Sequence, residues 1–127
     1  MCIRDRYLRM DLASWEKFGK PVMMTEYGAD TQPGAHSIWD GPWTEEYQSN
    51  LLDLYHRVFD DVPYFVGEQV WNFADFQTSN GTHRVEGNKK GAFTRDRKPK
   101  AAAHSLRARW TSSVSYTHLT LPTICSV

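Results

Sequence analysis

The chain has 127 residues, with 15 Lys plus Arg against 15 Asp plus Glu and 13% aromatic side chains. That length suits one ordinary domain, and zero net charge with a pI near 7.0 removes the electrostatic case for a nucleic-acid or membrane-surface partner. A mean hydropathy of −0.60, with no apolar run approaching about 18 residues, excludes a transmembrane helix, and five Trp, six Tyr and six Phe exclude a disordered chain.

Residues 1–6 carry charges where a secretory leader would need an apolar core, so no leader is expected. Tyr7 to Phe18 reads as a helix with Leu8, Leu12 and Trp15 on one face, closed by Gly19. After Pro21, Val22 to Thr25 forms a short apolar run suited to a buried parallel strand, ending at Glu26-Tyr27-Gly28. A long loop follows from Asp30 to Pro42. Glu45 to Phe59 is helical, with Thr44 as its cap and Tyr47, Leu51, Leu54, Tyr55 and Val58 as the expected inner stripe.

Pro63 ends that helix, and the β-branched and aromatic stretch Tyr64 to Phe73 predicts a second strand. Asp75 to Thr94 is polar and Gly-rich, a second long loop. Pro99 suits the first position of a last helix whose inner face holds Ala102, Ala103, Leu106 and Trp110, with Lys98 and Lys100 at a solvated start. Strands alternating with helices imply an α/β fold with a parallel sheet. Both long loops follow strands, where such folds keep their chemistry. Two strands make no stable sheet alone, so the chain reads as part of a larger architecture.

Residues 1–6 and 112–127 lack the rhythm of the rest and are expected to be non-native ends around a 7–111 segment. Cys2 and Cys125 stand at opposite extremes with no paired framework, which fits a reducing, cytoplasmic setting. The five His residues show no metal-ligand spacing, and no metal or other cofactor is expected.

Glu26 is fixed at a strand end beside Gly28, a position suited to nucleophilic or general-base work and equally to a solvated strand-end carboxylate. Glu68 lies within the second strand between Val66 and Val70. Burying it unpaired costs several kcal/mol, so it is either functional or, the favoured reading, held in a structural ion pair that Arg95 or Arg97 could supply. Trp71, Phe73 and Phe76, with Asn72 and Asp75 among them, suit either a core or a sugar platform. Gly87-Asn88-Lys89-Lys90-Gly91 offers two ammonium groups and an amide in a Gly-flanked loop, either a carboxylate-binding loop or plain surface, with Arg84, Arg95 and Arg97 adding positive potential.

Thr25-Glu26-Tyr27-Gly28, Trp43 to Tyr47, Gly67 to Phe76, Asn88 to Gly91 and Thr94 to Lys100 together closely resemble the β-glucuronidases of glycoside hydrolase family 2, over about Leu8 to Thr111. The resemblance implies a retaining glycosidase on a (β/α)8 TIM barrel, this chain supplying strands seven and eight with their helices. It implies Glu26 as the nucleophile, Asn88 and Lys90 as binders of the sugar carboxylate and Trp71 as a wall of the sugar site, while the positive potential of its segment makes Arg84 an expected further substrate contact. It also implies a cis peptide at Trp71–Asn72, a small-molecule β-glucuronide as partner, and a homo-oligomeric parent enzyme. The family's acid/base glutamate sits in an Asn-Glu dipeptide, which occurs nowhere in this chain. The chain is therefore expected to be inactive alone. A non-catalytic sugar-binding module and a β-galactosidase- or β-mannosidase-like relative are the other readings, the latter disfavoured by Asn88-Lys89-Lys90-Gly91.

Overall fold

The computed structural model describes residues 3–82 and 86–114. Among them run α1 (Ile3–Glu16), β1 (Val22–Tyr27), α2 (Glu45–Asp60), β2 (Phe65–Val70) and α3 (Ala101–Val114). Every expected element forms. α1 begins inside the segment set apart as an end, and α3 runs into the segment set apart as a tail. Cys2 and Cys125 lie outside the described residues.

β1 and β2 pair in parallel, with α2 as the crossover between them. Parallel strands cannot be joined by a tight hairpin, and a helix of α2's length supplies the required return. Thr44 caps α2 as expected, its side chain accepting the Tyr47 N–H at 3.2 Å. Glu45 extends that junction, since its carboxylate accepts the Gly34 N–H at 2.8 Å and the Ala101 N–H at 2.6 Å. The latter satisfies a donor at the start of α3 that no helical carbonyl can reach.

The core gathers Leu8 and Leu12 of α1, Tyr27 of β1, Leu52, Val58 and Phe59 of α2, and Ala92, Ala102 and Leu106. Three expectations about helix faces need correction. The buried stripe of α2 is Gln48, Leu52, His56 and Phe59 with Val58, while Tyr47, Leu51, Leu54 and Tyr55 are only half-buried. The true face includes two polar residues that have buried partners, which an apolar-only pattern passes over. Trp15 and Trp110 are exposed rather than inward. Trp15 instead packs beside Phe18 with ring centroids 5.7 Å apart. α3 starts at Ala101, two residues after Pro99.

A charged cluster sits beneath the aromatic packing. Glu68 is paired, as its place among valines required, but with Arg109 rather than Arg95 or Arg97. Arg109 Nε and Nη2 donate to its two oxygens at 2.8 and 3.0 Å. The same guanidinium also binds Asp60, at 3.0 and 2.9 Å, so the acid at the unfavourable end of α2 is neutralised. His56 Nε2 lies 3.0 Å from the Tyr27 hydroxyl and 3.6 Å from Glu68. Arg95 and Arg97 are occupied elsewhere, Arg95 with Gln77 and Arg97 over the Phe73 ring.

Burial holds the His56 imidazole below the ordinary histidine range, and Arg109 adds to the effect although Glu68 opposes it. Below about pH 6.5 the unfolded chain therefore takes up a proton that folded His56 resists, and stability falls as pH falls. The exposed His36–Glu46 pair acts with the opposite sign, since Glu46 raises His36. Asp60 is lowered by Arg109 and loses its contribution only below the range of an unfolded Asp, about pH 4. Urea unfolding of the full-length protein containing this chain and of its His56→Gln variant between about pH 7.5 and 5 isolates the His56 effect. The wild-type protein should lose more stability across that window than the variant; equal losses would contradict the assignment.

Candidate active site

The C-terminal ends of β1 and β2 lie side by side, joined by the Trp71 N–H donating to the Tyr27 carbonyl at 2.9 Å. Both long loops leave from this end. The approach is so close that a Cβ on Gly28 would stand 2.4 Å from the Trp71 carbonyl oxygen, and Gly28 itself has φ +152°. Only glycine fits there.

Between Met24 and Tyr27 the register slips, because three steps along β1 face two steps from Glu68 to Val70. The extra residue is a bulge at Thr25-Glu26, a device that re-aims side chains. Glu26 is exposed while Tyr27 turns into the core. Among the described residues the Glu26 carboxylate has no hydrogen bond or ion pair. It is thus a rigidly mounted carboxylate at the loop-bearing end of the strands.

Trp71 follows β2 and is 39% exposed. The Trp71–Asn72 peptide is cis, as the resemblance implied. The Trp71 ring meets Phe76 edge-on at 6.1 Å. Asn72 donates to the Ala74 carbonyl at 2.8 Å, while its Oδ1 is buried with no partner among the described residues.

The loop from Asn88 to Gly91 folds back onto these strand ends. The Lys90 carbonyl accepts the Asn72 N–H at 3.3 Å, the Asn72 carbonyl accepts the Ala92 N–H at 3.0 Å, and the Lys89 carbonyl accepts the Thr31 N–H at 3.0 Å. Asn88 is buried, pairs its backbone with Phe76 in both directions, and accepts the Lys90 N–H through Oδ1 at 3.0 Å. That last bond is the local turn that Asn makes readily. Lys90 forms an ion pair with Asp30, whose other oxygen accepts the Lys89 N–H at 3.0 Å. Glu26, Trp71, Asn88 and Lys90 therefore share one end of the fold. Arg84 lies outside the described residues.

Three further residues hold this site together. Asp30 stands four positions after Glu26 and carries no motif of its own. Gln48 on α2 donates through Nε2 to the carbonyls of Ala29, Lys90 and Gly91 at 3.1–3.2 Å. Lys100, which the sequence places at a solvated helix start, is instead fully buried. Its ammonium binds Asp75 Oδ1 at 2.9 Å and the carbonyls of Thr31 and Lys89 at 3.0 Å each. Three acceptors match the three donors of an ammonium, which is what allows so strongly hydrated a group to leave water. Burial lowers the Lys100 pKa from the ordinary lysine value, and Asp75 opposes the shift. Among the described residues no cluster of three His, Cys, Asp or Glu side chains suits a metal ion.

Residues 3–114 match the glycosyl hydrolases family 2, TIM barrel domain. The chain belongs to this family. Its α/β content and parallel strands are those of a family 2 barrel domain. Among curated relatives it is 50% identical over 111 residues to the β-glucuronidase of Streptococcus agalactiae, covering 86% of this chain and 18% of that protein. It is 53% identical over 107 residues to that of Paenibacillus borealis, covering 84% and 18%. Among solved structures it matches Lactobacillus rhamnosus β-glucuronidase with TM-score 0.80 and 54% identity, over 84% of this chain and 18% of that one. Bifidobacterium dentium β-glucuronidase complexed with coumarin-3-O-glucuronide matches with TM-score 0.81 and 52% identity, over 84% and 17%. The chain thus spans less than a fifth of the length of these family 2 relatives.

The closeness of the loop to the strand ends is testable at Gly91. A Cβ there would stand 2.3 Å from the Asp75 nitrogen and 2.5 Å from the Phe93 oxygen, whereas at Gly41 the nearest contact is an ordinary 3.7 Å. Gly91→Ala should destabilise by about 1–3 kcal/mol or more, and Gly41→Ala by less than about 1 kcal/mol in either direction, measured by urea denaturation. Equal effects would contradict the packing described.

Proposed function

We propose that this chain is the part of a retaining β-glucuronidase that carries the last two βα units of the barrel, with β1 and β2 as strands seven and eight. The observation that carries the reading is the site just described: a cationic loop hydrogen-bonded onto two strand ends that also carry a bulge-mounted carboxylate and an exposed Trp. The β-glucuronidase relatives at about 50% identity support it. So does an apolar groove of about 540 Å³ beside β2 and α3, lined by Val70, Phe73, Phe93, Ala103, Leu106 and Trp110, which neighbouring barrel units would cover. The 7–111 segment is the barrel portion in this reading.

Glu26 attacks the anomeric carbon of a β-glucuronide, the bond to the aglycone oxygen breaks, and a protonated carboxyl elsewhere in the full-length enzyme supplies the proton that oxygen needs. Water then attacks the anomeric carbon, gives its proton to the same carboxyl that protonated the aglycone, and breaks the ester to free the Glu26 carboxylate with net retention. Such a mechanism requires two carboxyls about 5–5.5 Å apart. Glu68 does not meet the need, because both of its oxygens are bound by Arg109. The family's acid/base glutamate sits in an Asn-Glu dipeptide, which these 127 residues do not contain, so the chain alone lacks that acid.

Lys90 and Asn88 receive the sugar carboxylate, with Arg84 as a further contact, while Trp71 walls the ring. A glucuronide is ionised at neutral pH and complements Lys90. A neutral hexoside leaves that half-buried ammonium without its second anion, at a cost of about 1–3 kcal/mol. Asp30 holds Lys90 in place when no substrate is bound.

Two assays with a chromogenic β-glucuronide follow. The isolated chain should show no turnover, and turnover at the rate of a complete enzyme would contradict the missing acid. In the full-length enzyme that contains this segment, Glu26→Gln should lower kcat by at least about 10³-fold. Lys90→Ala should lower kcat/KM for the glucuronide by roughly 5- to 150-fold and narrow the preference over the matching β-glucoside. Retention of full activity by Glu26→Gln, or of full uronide preference by Lys90→Ala, would refute the corresponding role.

A further inference from the structure

Thr31 and Lys89 are joined twice. The Thr31 N–H donates to the Lys89 carbonyl at 3.0 Å, and both carbonyls accept from the one ammonium of Lys100. Asp30 immediately precedes Thr31, and Lys90 immediately follows Lys89. The Asp30–Lys90 ion pair is thus set by the residues on either side of a clamp whose centre is Lys100 Nζ. Asp75 completes the clamp. Its Oδ1 receives Lys100 at 2.9 Å and the Gly91 N–H at 3.0 Å, so both ends of Lys89-Lys90-Gly91 are tied to the same buried pair.

Thr31 is fully buried, and the side chains of Lys100 and Asp75 are 0% and 5% exposed, so no water competes for these bonds. A buried ion pair is weak evidence for stability, because desolvation offsets most of the attraction. Here the pair sits at the junction of the loop after β1, which carries Asp30, and the loop after β2, which carries Asn88 and Lys90. We propose that Lys100, acting through Asp75 and the Thr31 and Lys89 carbonyls, is a positioning residue that sets where the Lys90 ammonium stands and thereby the affinity for the substrate carboxylate. This rests on the glycosidase reading above. Lys100 touches no substrate.

The test uses the full-length enzyme containing this segment, with two variants. Lys100→Met keeps the volume and removes the ammonium, but leaves Asp75 buried without its cation. Lys100→Met/Asp75→Asn removes both charges while the Asn amide oxygen still accepts the Gly91 N–H, so this variant retains the packing and loses only the grip on Thr31 and Lys89. Folding is checked by near-ultraviolet circular dichroism and thermal melting. The double variant should be folded, with KM for a β-glucuronide raised about tenfold or more and kcat within about threefold of wild type, since misplacing a binding group weakens binding without removing the nucleophile. An unchanged KM, a fall in kcat alone, or failure of both variants to fold would overturn the inference. A wild-type enzyme that does not hydrolyse β-glucuronides would overturn the glycosidase reading, and this inference with it.

Discussion

The ammonium of Lys100 is buried, and a buried cation is tolerable only where each donor has an acceptor. Asp75, Thr31 and Lys89 supply those acceptors from two loops that leave different strands. The requirement therefore runs outward from one atom. Satisfying Lys100 brings the loop after β1 against the loop after β2, and that contact in turn places Asp30 beside Lys90 and folds Asn88 to Gly91 over the strand ends. Gln48 reinforces the arrangement from α2, spending its amide hydrogens on three more carbonyls of the same loops.

Beneath this loop layer the parallel pair supplies rigidity and direction. Parallel pairing puts both C-terminal strand ends on one side, the bulge at Thr25-Glu26 turns a carboxylate outward, and Gly28 lets the Trp71 backbone come close. The Glu68–Arg109–Asp60 cluster with His56 and Tyr27 does separate work. It neutralises a strand-borne acid and the acidic end of α2 within the packing between helices and sheet. The two acidic residues of the strands, Glu26 and Glu68, thus stand in opposite environments: one is exposed without an ion pair among the described residues, the other bound to a guanidinium by two hydrogen bonds.

What was legible in the sequence was local. The element order follows from periodicity, capping and Pro placement, each carried by neighbouring residues, and Glu26, Trp71 and Asn88 to Lys90 stand out because their motifs are short and contiguous. What was not legible depends on distant partners. Lys100 reaches Thr31 across 69 positions, and nothing in Pro-Lys-Ala-Ala-Ala distinguishes a buried lysine from a solvated one. Gln48 and His56 escape a pattern built on apolar residues, because these two polar side chains are buried through hydrogen bonds. Arg109 took the place expected for Arg95 or Arg97 because α3 brings it across 41 positions to Glu68, whereas the loop carries the other two away.

In the proposed mechanism Glu26 is the group that attacks the sugar. A 2-deoxy-2-fluoro-β-glucuronosyl fluoride slows both glycosylation and deglycosylation by destabilising the oxocarbenium-like transition states, so a retaining enzyme accumulates its covalent intermediate. The full-length enzyme containing this segment should be inactivated by this reagent, and peptide mass spectrometry should find the fluoro-sugar esterified to Glu26. A label on any other residue, or inactivation with no covalent sugar at all, would contradict the account.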